Sequence, residues 1–109
     1  METGTNDTLR LVRQAQKRIL FLPHAVSQMN SPDRMISTQE VRSVIFQGEV
    51  IEDYAEDVRG HSCLMLGWGA QDRPVHVVCA PKRNYLAVIT AYLPSVEQWA
   101  LNWRTRRKG

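Results

Sequence analysis

Three residues on two apolar stretches have the types and spacing to do chemistry. In Val75 to Ala80 the period-two alternation of a strand sets Val75, Val77 and Cys79 on one face and His76 on the other. In Tyr85 to Leu93 it sets Ala87, Ile89 and Ala91 against Thr90 and Tyr92. An imidazole titrates near neutral pH and can move a proton either way, and hydroxyls beside it can orient or donate. Whether His76 and Tyr92 share a face turns on register. An odd loop such as Lys82 to Asn84 aligns His76 with Thr90, whereas a four-residue loop places His76 and Tyr92 on opposite faces. The odd loop is expected here. It buries Val77 and Cys79 with Ala87 and Ile89 and collects His76, Thr90 and Tyr92 on the other side.

Other chemistry-bearing groups read differently. Glu49, Glu52, Asp53, Glu56 and Asp57 cluster at a strand end and turn without the His or Cys partners of a zinc site, so no metal is expected. No cofactor is expected either, because no Gly-rich phosphate loop follows a strand and no Gly-x-Ser-x-Gly elbow occurs. Cys63 and Cys79 lie in apolar runs without a Cys-x-x-Cys and read as small buried residues in a reducing cytoplasm. Arg104, Arg106, Arg107 and Lys108 form a basic tail over 104–109, suited to a phosphate backbone or simply to a helix C-terminus. Trp99 and Trp103 need something to cover, as core residues or as anchors of a homo-oligomer.

The elements that must position these groups can be traced along the chain. With 109 residues, 43% of them apolar, and a net charge of +3, one domain with one core is expected. Residues 1–6 are polar and expected to fray. Asp7 or Thr8 can then cap a helix with Leu11, Val12, Ala15 and Ile19 on its apolar face. Pro23 suits the first position of a second, short helix through Met29. Ser37 and Glu40 form a capping box, with Ile36 and Val41 as a hydrophobic staple, opening a third helix that ends near Gly48, where a left-handed residue is wanted. Strands are expected at Val50 to Tyr54, Ser62 to Trp68, Val75 to Ala80 and Tyr85 to Leu93, with short links that make neighbours antiparallel. Ser95 and Gln98 make a second capping box, opening a C-terminal helix with Val96, Trp99, Ala100 and Trp103 on one face. The fold class is α+β: N-terminal helices packed on a roughly four-stranded antiparallel sheet, with a C-terminal helix, leaving the other sheet face open. Ile19 to Leu22 is too short to span a bilayer, so no membrane partner is expected.

A resemblance runs through the same residues. His24-Ala25, Met29, Arg34, Ile36-Ser37, Val41, Gly48 to Tyr54, Leu66-Gly67, Arg73 to Val78 and Val88 to Tyr92 fall in one order. The series resembles the bacterial domain-of-unknown-function family 4258 over about residues 20 to 99. More distantly, it is similar to BrnT-type toxins of the RelE/ParE-like group, which include ribonucleases paired with antitoxins. The resemblance implies a toxin-like fold, metal-independent RNA cleavage, and RNA and an antitoxin as partners. It adds His24 to His76 and Tyr92. Cleavage needs a base, an acid and cations for the phosphorane. Under this reading His24 and His76 supply the base and acid, Tyr92 positions or donates a proton, Arg34 and Arg73 hold phosphate, and Thr90 lines the substrate face. The chain departs from the family pattern at Gln28, where an Arg usually follows the helical His by four residues, and this removes one cation from the implied phosphate site. The rival expectation is a non-catalytic protein- or nucleic-acid-binding module of the same fold.

Overall fold

In the computed structural model, which describes residues 5–58 and 60–108, three helices and five strands alternate among those residues. They are α1 (Thr5–Ala15), β1 (Ile19–Phe21), α2 (Pro23–Met29), α3 (Thr38–Gln47), β2 (Glu49–Tyr54), β3 (Ser62–Trp68), β4 (Pro74–Pro81) and β5 (Leu86–Tyr92). The class is α+β, and the sheet runs β1-β5-β4-β3-β2. Strands β2 to β5 are the expected antiparallel meander. The fifth strand, β1, lies parallel to β5, which makes the sheet mixed. The helical period predicts Ile19 inside the first helix. It instead leaves α1 and pairs with Leu86, because Ile19-Leu20-Phe21 suits a strand and finds the free edge of β5. Of the residues expected to fray, Thr5 and Asn6 begin α1 and residues 1–4 lie outside those described.

The third helix forms as its capping box requires. Ser37 Oγ accepts the Glu40 amide at 3.0 Å and the Glu40 carboxylate accepts the Ser37 amide at 3.1 Å, a cap whose loss costs about 1 kcal/mol. Gly48 ends the helix for a reason other than the expected one. Its backbone is extended, not left-handed, and a β-carbon there would collide with the carbonyl oxygens of Leu66 and Val44. Glycine is required for space.

The helices cover one sheet face. Val12, Met29, Val41, Val44 and Ile45 pack there against Val50, Met65, Val77, Cys79 and Val88. On the opposite, outer face stand Leu64, Leu66 and His76, and further along Val78, Ala80, Ala87 and Ile89. A register shift between Val78 and Cys79 changes the expected partners. His76 pairs with Tyr92 instead of Thr90, and Val88, not Ala87 or Ile89, joins the inner core. The expected odd link is not formed: Pro81 pairs with Leu86 across an even one, which sets Ala87 outward opposite Ala80, and the bulge, with Ile89 as its extra residue, then returns Thr90 and Tyr92 to the outer face.

The expected C-terminal helix does not form. Ser95 begins a single turn, its carbonyl accepting the amides of Gln98 and Trp99, after which the chain doubles back. Ala100 donates to the Thr105 carbonyl at 2.8 Å and Arg107 to the Gln98 carbonyl at 2.8 Å. The Asn102 side-chain oxygen accepts the amides of Arg104 and Thr105 at 2.9 and 3.1 Å, drawing off donors that a helix would have needed. The result is a strap laid over the outer face. Among the described residues no helix is long and apolar enough to cross a membrane.

Candidate functional site

The strap divides the outer face into a covered half and an uncovered half. In the covered half, β4 and β5 bring His76 and Tyr92 into register, with ring centroids 5.2 Å apart. Trp99 of the strap stands edge-on to the imidazole at 4.5 Å. His76 is completely buried. Its Nε2 lies 2.8 Å from the Trp103 carbonyl and its Nδ1 3.2 Å from the Tyr92 hydroxyl. A carbonyl can only accept, so Nε2 carries the hydrogen and Nδ1 is left to accept from Tyr92. Burial pushes the imidazole pKa down, and the Trp103 carbonyl only partly opposes that shift.

Beside this pair lies a charged cluster that sequence reasoning did not assemble. Arg106 donates to both Glu52 oxygens, through Nε at 2.7 Å and a terminal nitrogen at 3.0 Å, and Tyr54 donates to Glu52 at 2.5 Å. The guanidinium also stacks 4.7 Å over Trp99. Burial works to raise the Glu52 pKa, but the hydrogen bonds from Arg106 and Tyr54 leave it lowered. Arg104 grips Glu49 at 2.5 Å, and Arg107 donates to the Trp99 carbonyl at 3.0 Å. Three cations of the basic tail are therefore engaged within the chain. The clue in the sequence was Arg104-x-Arg106 set against Glu49 and Glu52, legible only once strap and β2 are known to meet. Trp99, expected as a core residue or an oligomer anchor, is buried inside its own chain.

The remaining candidates lie elsewhere. Arg34 donates to the Gln28 side-chain oxygen and, at 3.4 Å, to the Ala91 carbonyl. Gln28 thus gives Arg34 an acceptor that an arginine could not provide. Arg73 holds Glu40 at 2.8 and 2.9 Å and the carbonyls of Arg34 and Met35 at 3.2 and 3.0 Å. The Arg73 guanidinium brings the Glu40 carboxyl down to about 2. Thr90 faces outward opposite Val78. His24 is exposed on the first turn of α2 and lines a hollow of about 290 Å³ floored by Ala80, Ala87 and Ile89, with Leu22, Lys82 and Tyr85 around it. Ala80 is four residues along β4 from His76, about 13 Å at strand rise. The structure brings His76 and Tyr92 together but sets His24 at the other end of the face and Arg34 and Arg73 on the helical side.

Comparison with protein families matches residues 21–93 to DUF4258, a domain of unknown function. The chain belongs to the DUF4258 family. No curated protein and no solved structure matches it. The DUF4258 segment runs from Phe21 to Leu93, so it contains His24, His76, Tyr92 and the hollow, while α1 and the strap with Trp99, Arg104 and Arg106 fall outside it.

Two further groups join the DUF4258 segment to the residues that precede it. Asp53 Oδ1 accepts from Thr8 at 2.7 Å and lies 2.6 Å from His61 Nε2, which itself sits 3.2 Å from the Thr8 hydroxyl. Burial would raise the Asp53 pKa, but the bonds to Thr8 and His61 leave it lowered. Thr8 is buried, so the trio pins α1 to the β2–β3 hairpin, and Thr8 does not act as the expected cap. At the uncovered end, the Arg18 carbonyl accepts the Leu86 amide at 2.8 Å and so extends the β1–β5 pairing by one residue. Strand alternation then puts Arg18, Leu20 and Leu22 on the outer face beside Tyr85, Ala87 and Ile89. Lys17, Arg18 and Arg83 are exposed and make no ion pair among the described residues.

Proposed function

We propose that the protein binds single-stranded RNA on the uncovered half of its outer sheet face, as an interaction module that does not cut the strand. One observation carries this reading. Of the basic side chains, Arg104 and Arg106 are neutralised on Glu49 and Glu52 and Arg73 on Glu40, while Arg18 stays unpaired at the uncovered end of that face, with Lys17 beside it in sequence and Arg83 at the same end of the sheet against Leu11 and Gln14 of α1. A local excess of exposed cations attracts a phosphate backbone, and RNA single strands lay their bases on exposed sheet faces. The free thiols Cys63 and Cys79 suit the reducing cytoplasm where RNA is met.

Anisotropy of a labelled single-stranded RNA tests it. With about three phosphates neutralised, log affinity should fall against log salt with a slope of about −2. Arg18→Glu with Arg83→Glu should abolish binding at moderate salt. No binding by the native chain at low salt, or undiminished binding by the double variant, overturns the reading.

RNA cleavage is the second reading, favoured by the contact of His76 with Tyr92 beside the Glu52 and Arg106 pair. It requires the strap to lift, since His76 has no solvent access. It is also the reading under which an antitoxin partner is needed. Recovery of full-length RNA after incubation, with and without EDTA, supports binding. Cleavage products that disappear in His76→Ala support the nuclease.

A further inference from the structure

The hollow on the uncovered half has the composition of a base-binding site, an inference that rests on the RNA reading above. Its floor of Ala80, Ala87 and Ile89 is apolar and itself buried, at 1 to 7% exposure, so the reachable lining is the rim, where two aromatic side chains, His24 and Tyr85, stand with Leu22. Its volume of about 290 Å³ lies at the small end of ligand sites, which run roughly 300–1,000 Å³. That is room for one planar ring system and not for a large cofactor. One unpaired cation adjoins it. Arg18 precedes β1, its carbonyl accepting the Leu86 amide, and shares the outer face with Tyr85 by alternation, whereas Arg83 lines a separate hollow with Leu11 and Gln14 of α1. The ammonium of Lys82 itself reaches over Gly60, 2.8 Å from where a β-carbon would stand there, and the charge beside the hollow is that of Arg18.

We propose that this hollow seats one base of the RNA strand against Tyr85 and His24, with the adjoining phosphate held by Arg18. An apolar floor alone would take many partners. The joint presence of two aromatic rings and the unpaired Arg18 guanidinium selects a ligand that is flat and apolar on one side and anionic next to it, which is a nucleotide. A base stacked on a side chain is sequence-tolerant, because every base offers a ring face.

Titration of the ¹⁵N-labelled native chain with adenosine 5′-monophosphate, with inorganic phosphate and with a short single-stranded RNA reads the site directly. The nucleotide and the RNA should shift the amides of Ala87 and Ile89, and phosphate alone should not. Tyr85→Ala should weaken RNA binding roughly tenfold while Tyr85→Phe stays close to native. Arg18→Glu, a change at an exposed position, should lower the steepness of the salt dependence by about 0.7. RNA that binds as tightly to Tyr85→Ala and shifts amides elsewhere overturns the base site and leaves the RNA reading intact. Shifts reproduced by inorganic phosphate overturn it too, as does nucleotide binding without RNA binding, which would remove the RNA reading as well.

Discussion

Both ring nitrogens of His76 are engaged inside the chain, on the Trp103 carbonyl and the Tyr92 hydroxyl, so protonating this residue opposes folding before it can serve any chemistry. Burial holds the folded pKa below the ordinary 6.5. As pH falls through 6.5 the unfolded chain takes up a proton that the folded chain refuses. Stability from His76 is therefore complete above 6.5 and declines below it, toward the folded value. Glu40 acts with the same sign at lower pH. Its pKa falls from 4.5 to about 2 on Arg73, so its contribution, at most about 3 kcal/mol, is present above 4.5 and lost toward 2. Urea unfolding followed across pH should show stability level above 7, a first decline below 6.5 and a second below 4.5. His76→Gln should remove the first decline and Glu40→Gln the second. A first decline that persists in His76→Gln would mean that His76 is not its source.

At the scale of elements the strap matters most, because it decides which half of the outer face is available. Its anchors differ in weight. The pair of Arg106 with Glu52 is more than half exposed on the arginine side, and such pairs contribute about 0–1 kcal/mol. Trp99 is buried against His76, and a tryptophan truncated to alanine in a core costs about 3–5 kcal/mol. Hydrogen exchange should therefore separate the two. Arg106→Ala should speed exchange at the Ala100 and Arg107 amides with little change in the denaturation midpoint, whereas Trp99→Ala should lower the midpoint and expose the strap together. Unchanged strap exchange in Arg106→Ala would mean the ion pair does not hold it. The strap also marks the limit of what was legible in the sequence. The third helix could be read because Ser37 and Glu40 cap it locally. Ser95 and Gln98 carry the same local pattern, yet Trp99 is drawn to an imidazole 23 positions earlier, and Asn102 captures the amides of the next turn. The placement of His76 and Tyr92 on one face was expected from an odd link, but the link is even and the bulge between Val78 and Cys79 restores the shared face. Neither that bulge nor the direct pairing has a local signature, and the Glu52 and Arg106 contact joins segments 54 residues apart.

Across the whole molecule the sheet separates two environments, a sealed helical side and a surface side, and the cysteines report on the first. Cys63 and Cys79 are register partners on β3 and β4, with sulfurs 3.9 Å apart, both fully buried beneath the helices. The hydrogen bond with Cys63, then burial, pushes the Cys79 thiol well above its usual pKa. A thiol must ionise and meet its reagent to react; the raised pKa of Cys79 opposes the first, and burial denies both thiols the second. Labelling by an aromatic disulfide reagent should therefore require global opening. Its rate should rise with urea with the same dependence that governs equilibrium unfolding, since both report the surface exposed in the same transition. Labelling that is fast without denaturant, or that barely responds to it, would mean that the helices lift from the sheet locally. The apolar side would then be a second, transient surface. Labelling coupled to full unfolding would instead keep the helical side sealed and leave the outer face as the surface on which the proposed RNA binding is tested.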